Sequence, residues 1–175
     1  TEIAPNAKFL SGGLFEVTST NNFFRLRNDE YAVRAAGGGV ATGSSAKSDS
    51  VITSVSQVTI GEDADLAVES NALGNQRLYV CASTNVASTD RVDLQTGTAV
   101  GGAGVSSEMT VNATNDVSIG KNVKLQSTGD ISVGTYTTAY VTAEGLSNTW
   151  GLAGIGSSHA TTEITSTQSV KLGEN

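Results

Sequence analysis

Histidine, cysteine, proline and tryptophan each occur once in this 175-residue chain, and these scarcities remove whole classes of chemistry. With His159 alone, neither a histidine-based zinc cluster nor a catalytic triad drawn from several histidines can be assembled. Cys81 cannot close an intrachain disulfide. Its place in Leu78-Tyr79-Val80-Cys81-Ala82 suits a small buried hydrophobe rather than a reactive thiol. Charged residues make up 15% of the chain, against roughly 25% in an average soluble domain. Positive charge is scarcest: the net charge is −7 and the pI about 4.5, which argues against nucleic acid and against an anionic membrane surface. Arg25, Arg27 and Arg34 are the only basic residues that gather, and they are expected on a solvated face beside a turn. No run of 18 apolar residues and no basic-then-apolar leader is present, so no membrane insertion is expected.

What the chain has in quantity is Gly, Ser, Thr, Val and Ala, including 20 Gly. Small and β-branched side chains suit closely stacked sheets and suit a helical bundle badly. The chain also repeats itself. Val58-Thr59-Ile60-Gly61-Glu62-Asp63-Ala64-Asp65-Leu66 returns as Val117-Ser118-Ile119-Gly120-Lys121-Asn122-Val123-Lys124-Leu125. A worn copy stands at Glu2-Ile3-Ala4-Pro5-Asn6-Ala7-Lys8-Phe9, and another begins at Val170-Lys171-Leu172-Gly173. The marker residues Ile3, Ile60, Ile119 and Leu172 are separated by steps of 57, 59 and 53 residues. A period of this size indicates stacked supersecondary units. The repeats run approximately 1–57, 58–116 and 117–169, with 170–175 starting a fourth.

A second block supports the same period. Gly43-Ser44-Ser45-Ala46, Val105-Ser106-Ser107-Glu108 and Gly156-Ser157-Ser158-His159 each lead, through a β-prone stretch, into the next marker. Between the blocks lie short runs bounded by Gly, Asn or Asp: Leu14 to Thr18, Phe23 to Arg27 and Tyr31 to Arg34 in the first repeat, with a turn at Asn28-Asp29-Glu30. These read as strands. A helix over Arg25 to Ala36 is the rival reading, and it fails the i, i+3, i+4, i+7 spacing. About five runs per repeat predict two coils of some 25 to 30 residues each, stacked at ~4.8 Å. The fold expected is an all-β parallel β-helix (β-solenoid) with about two coils per repeat. Alternation in Arg91-Val92-Asp93-Leu94-Gln95, Met109-Thr110-Val111-Asn112 and Asp130-Ile131-Ser132-Val133 places the aliphatic residues inside and the polar ones in water. Neither end shows a polar cap. The partners implied are neighbouring repeats in a longer array, or identical subunits stacking end to end through the open solenoid ends.

Candidate sites are few. Glu62, Asp63 and Asp65 gather at a repeat turn, yet Lys121, Asn122 and Lys124 replace them in the next copy, so a solvated turn is the better reading. Calcium is the one cofactor to weigh, since acidic turns offer oxygen ligands; neither the glycine-rich nonapeptide nor the EF-hand loop is present. His159 reads as a surface turn residue. Gly37 to Gly43 lacks the Gly-Lys-Ser/Thr ending of a phosphate loop, and its glycines read as corners. Thr135, Thr137 and Thr142 do not recur at the period of the repeat, as a threonine-lined ice-binding face would require. Trp150, Tyr136 and Tyr140 cluster in the third repeat, where they would stack on a surface glycan or fill the wider part of a coil.

The pattern apolar-Gly-x-Asn/Asp-Ala/Val-x-Leu, then a Ser/Thr-rich link and Gly-x-Ile-x-Val, is clearest in Ile119 to Leu125 followed by Gly129-Asp130-Ile131-Ser132-Val133. It resembles the repeats of giant bacterial surface and secreted exoproteins, the filamentous-haemagglutinin-like and autotransporter-type adhesins. The first copy departs from it, with Ala4-Pro5 after Ile3 where the other copies carry Gly. The resemblance implies a right-handed parallel β-helix acting as spacer or adhesive rod at the cell surface or outside the cell, and it carries over no catalytic residue. The function expected is a non-enzymatic structural segment of a stalk or surface fibre. The alternatives are a subunit of an end-to-end extracellular filament and a carbohydrate-binding or carbohydrate-acting β-helix.

Overall fold

In the computed structural model, which describes residues 1–25, 33–69 and 76–173, all regular structure is β and every sheet pairing is parallel. Nine strands follow in chain order: β1 (Glu2–Ile3), β2 (Lys8–Ser11), β3 (Leu14–Arg25), β4 (Val33–Ile60), β5 (Asp65–Val68), β6 (Arg77–Ile119), β7 (Lys124–Ser127), β8 (Asp130–Trp150) and β9 (Ala153–Leu172). They form three stacked layers. β3 and β4 lie against one edge of β6, β8 and β9 lie against the other, and β2, β5 and β7 make a short separate sheet.

The register ties the layers to the repeat. Ile3 pairs with Ile60, Ile60 with Ile119, and Ile119 with Leu172, so the marker residues form one column four deep. Phe9, Leu66 and Leu125 form another. The drift in the period has two sources. Arg25 pairs with Ser88 and Val33 with Val92, so the first layer carries four more residues there than the second. Val68 pairs with Ser11 and Ser127, and Arg77 with Leu14 and Asp130, so the second layer carries six more than either neighbour between those points. Elsewhere the layers match residue for residue.

One expectation is corrected. A repeat makes one layer, not two coils: the ladders join residues between 53 apart (Arg77 to Asp130) and 63 apart (Leu14 to Arg77). Three layers at ~4.8 Å each give a stack about 14 Å deep, half of what two coils per repeat predict. The reason lies in the long strand. β6 runs out and folds back on itself, so that Val92 and Leu94 share a cluster with Ala103 and Val105, and Ser107 reaches Asp90. Small side chains on both arms let them pack face to face over a long distance, so the chain closes its circuit once per repeat.

The side-chain period of two decides which residues enter the space between the arms. At the base, Val58, Ile60, Leu66, Val68, Leu78, Val80, Val117 and their neighbours make the largest cluster. Ile52, Val86 and Val111 make a second, and Val92, Leu94, Ala103 and Val105 a third towards the tip. Burial also depends on layer. β6 alternates buried and half-buried positions along most of its length, whereas β9 is exposed at almost every position. The middle layer has neighbours on both edges and the third has one.

The predicted strand at Phe23 to Arg27 is present as far as Arg25, and that at Tyr31 to Arg34 from Val33 onward. Leu26, Arg27, Tyr31, Ala32 and the turn at Asn28-Asp29-Glu30 lie outside the described residues, as does most of the rival helix. The second sequence block is out of register. His159 sits over Ser106 and Lys47, and Ser107 over Ser48, so the Ser-Ser pairs are not equivalent positions. Asp93, expected in water, is buried, with the Arg34 side chain 3.6 Å away.

Candidate functional site

Two polar layers separate the three apolar clusters, and they hold the most organised side-chain chemistry of the fold. The inner one is centred on Asp90. Ser48 and Ser50 donate to its Oδ1 at 2.9 and 3.0 Å, and Ser107 donates to Oδ2 at 2.7 Å. Ser107 also lies 3.2 Å from the Asp90 carbonyl. Asp90 is on the inward side because it shares the parity of Val92 and Leu94, both buried. A buried carboxylate is tolerated only when its oxygens are satisfied, and here three hydroxyls from the returning arms of two layers do so. Asp90 has no exposed surface, so its carboxylate joins parts of the fold instead of meeting solvent.

The second polar layer crosses the whole stack. Asn21 of the first layer donates to Ser54 at 3.1 Å and to the Val55 carbonyl at 2.7 Å. Ser54 meets Thr84 at 3.0 Å, and Thr84 donates to Asn115 Oδ1 at 2.8 Å. Asn115 in turn donates to the Tyr136 carbonyl and to Thr137, which meets Ser166 at 2.8 Å. Sequence reasoning passed over Asp90 and Asn115. Extending the alternation of Val92 and Leu94 back to Asp90, or that of Val111 forward to Asn115, would have found both.

On the outer face of β6, Arg77 lies over the Tyr79 ring, 4.9 Å from its centroid. The Tyr79 hydroxyl is pushed up to about 12, first by its hydrogen bond with Cys81 and then by burial. Cys81 is buried, as expected, but beside Tyr79 and outside the aliphatic clusters. Near the base, the Asp116 carboxyl is held below its ordinary value. The cause is first the Ser169 hydroxyl and then the Lys171 ammonium, 3.3 Å away.

The sequence-predicted residues are placed as follows. Tyr136 and Tyr140 lie on the outward face of β8, since Ala139 and Val141 between and beside them pack inward. Trp150 ends the same strand ten residues beyond Tyr140, about 33 Å along an extended chain, so the three rings do not form one platform. All three are exposed. His159 lies in strand β9 rather than in a turn, with Nε2 2.8 Å from Thr161 Oγ1. Asp63 adopts a positive φ of 58° and accepts from Asn122 at 3.1 Å. Asp65 stands in register with Lys124. Among the described residues no three His, Cys, Asp or Glu side chains are grouped to hold a metal. Among the described residues, too, no helix is long and apolar enough to cross a membrane.

No family model, curated protein or solved structure matches the chain.

Proposed function

We propose that the chain is a non-enzymatic structural segment, a right-handed parallel β-solenoid that supplies length and stiffness to an extracellular adhesin-like stalk or surface fibre. The observation that carries this reading is the residue-for-residue ladder between layers, from Val33–Val92 through to Ile60–Ile119 and on to Leu172. Such a ladder makes each layer the template for the next, so length grows by adding repeats while the cross-section stays fixed. The best-organised polar groups, Asp90 and Asn115, are turned inward and spent on joining arms and layers. Antibodies raised against the folded chain test the location: they should label intact source cells, or the shed material around them, without permeabilisation. Labelling confined to permeabilised cells would overturn the reading.

One second reading has an observation of its own. Among the described residues the outer edges of the first and third layers, β3 with β4 up to Val58 and β8 with β9, are paired on one side only, which is what a filament subunit stacking end to end would present.

A further inference from the structure

The alternation that sends every second residue inward sends the others outward, and the ladder stacks these outward residues in columns. On the arm made by β3, the first half of β6 and β8, one outward column reads Phe24, Ala87, Tyr140. The column two residues earlier reads Asn22, Asn85, Thr138. Phe24 and Tyr140 are 67% and 74% exposed, against 9% for Ala87 between them, so two large rings stand clear of the sheet on either side of a methyl group. Among the described residues neither ring stacks on another ring. Their strands are two ladder steps apart, about 9.6 Å. Carbon contacts of ~3.5 to 4.0 Å on both faces of a third ring need about 7 to 8 Å, which that separation admits with room for pucker.

Beside the rings the surface is polar and uncharged. Asn85 donates through Nδ2 to Asn22 Oδ1 at 2.9 Å, which keeps the Asn22 amide nitrogen as a donor and the Asn85 amide oxygen as an acceptor for a third group. Thr138 adds a hydroxyl in the same column. Neighbouring sugar hydroxyls, each able to donate and accept, complement such a set. No Asp, Glu, Lys or Arg occurs at 17–24, 78–89 or 131–143, although the chain as a whole carries a net charge of −7. Further along the arm, Arg91 and Glu144 are paired with each other at 2.8 Å. A phosphorylated or carboxylated ligand would find no cluster of cations here, and a wholly apolar one would cover the amides without bonding them.

We infer that Phe24, Tyr140 and the Asn22–Asn85 pair form a binding site for a neutral oligosaccharide, with one sugar ring lying over Ala87 between the two aromatic rings. The rings offer apolar faces to the C–H side of the sugar, and the amides and the Thr138 hydroxyl take its hydroxyl groups. Tyr136 lies on the same outward face four residues before Tyr140, about 13 Å along the strand, where it supplies a further ring for the continuing glycan. Trp150, ten residues beyond Tyr140, has no part in the site. The slot lies between layers of this one chain and needs no second copy. It goes beyond the reading of the chain as a structural segment and does not rest on it.

The experiment titrates the unaltered chain by calorimetry with cellohexaose, chitohexaose, mannohexaose and galactohexaose, and with a polygalacturonate fragment as the acidic comparison. At least one neutral oligosaccharide is expected to bind with a Kd of about 1 mM or below, and the acidic one more weakly. Phe24→Ala and Tyr140→Ala should each weaken that binding at least about tenfold. Ala87→Leu, which fills the slot and keeps both rings, should do the same. Trp150→Ala should leave the affinity within about twofold. All four substitutions are on exposed or outward positions, and each should keep the thermal unfolding midpoint of the unaltered chain. Absence of binding by every neutral sugar overturns the proposal, as does tighter binding of the acidic one, or a loss on Trp150→Ala equal to that on Tyr140→Ala. A proline-rich peptide that binds at these residues when no sugar does would make the occupant a protein and overturn it too. None of these readouts depends on where the protein resides, so failure of this site and failure of the surface-stalk reading would be told apart.

Discussion

The base and the tip of each layer are built from the same alternating pattern and reach opposite results. At the base, Ile60, Leu66, Leu78 and Val80 are fully buried, and the short sheet of β2, β5 and β7 closes the space on a third side. At the tip, where β6 turns back near Gly97 to Val100, the interior narrows to Ala46, Ala103 and Thr96, while Val40, Val100, Leu152 and Ile155 are exposed. There Val100, Ala153 and Ile155, with three glycines, line a shallow groove of about 330 Å³. Aliphatic bulk is concentrated where three walls converge and is thinner where two arms meet directly. Face-to-face arms need thin side chains, and thin side chains bury little apolar surface per residue. The base should therefore hold most of the stability of the stack.

The largest expected effect comes from breaking that difference directly. Leu66→Ala at the base should cost about 3 to 5 kcal/mol, because its neighbours are held by ladders on both sides and cannot collapse into the cavity. Leu94→Ala near the tip should cost about 2 to 3 kcal/mol, because the small residues around it leave a smaller rigid cavity. Urea unfolding of the two variants checks the order. Equal losses would mean that the base holds no privileged share.

Between the two regions lies Asp90, and its replacement should be nearly as costly as a leucine truncation. Asp90→Ala leaves the buried hydroxyl of Ser107 and the partly covered ones of Ser48 and Ser50 without their acceptor, at about 2 to 4 kcal/mol in total. Ser107→Ala removes one donor and should cost about 1 to 2 kcal/mol. Hydrogen exchange should then show protection lost first in the arms around residues 88–92 and 105–109 and kept at the base. Uniform loss along the chain would mean that the layers open as one unit.

How much of this was legible depended on which residue type set the geometry. The base was readable because its turn demands particular residues: the left-handed position is Asn6, Asp63 and Asn122 in successive layers, with φ of 60°, 58° and 53°, and such residues tolerate it best after glycine. That is why the marker steps of 57, 59 and 53 residues are also the register of the ladders. The Ser- and Gly-rich stretches towards the tip carry no such demand, and there the sequence alignment slipped: Ser44 and Ser45 were set against Ser106 and Ser107, whereas the ladder pairs Ser48 with Ser107. The number of coils per repeat was illegible for a related reason. Alternation states which way a side chain points and not how far a strand runs before it turns. Asp93 was misplaced because outward positions of the middle layer are covered by the layers above and below, so facing outward there does not mean facing water.

A smaller effect tests the turn itself. Asn122→Ala places a Cβ-bearing residue without a locally bonding amide at φ 53°, and removes the hydrogen bond to Asp63. The loss should be about 1 kcal/mol. Asn122→Gly keeps the conformation free of strain and should be within about 0.5 kcal/mol of the unaltered chain. If alanine and glycine behave alike, the left-handed turn is not what fixes the register at the base.

The smallest effect is electrostatic and also belongs to the base. Asp116 stands in the column of Gln57 and Ser169, and its carboxyl is held below its ordinary value by the Ser169 hydroxyl and the Lys171 ammonium. A carboxyl whose folded pKa is depressed contributes stability above its unfolded pKa and loses it as pH falls through the folded value. The contribution is therefore complete at neutral pH and fades below about pH 4. Because Lys171 is exposed, the gain is screened by salt and small. Ser169→Ala removes the main cause of the shift. It should lower stability slightly at pH 7 and hardly at all at a pH low enough to protonate the carboxyl in both states. Equal losses at both pH values would mean that Ser169 acts through packing between the second and third layers rather than through the Asp116 charge.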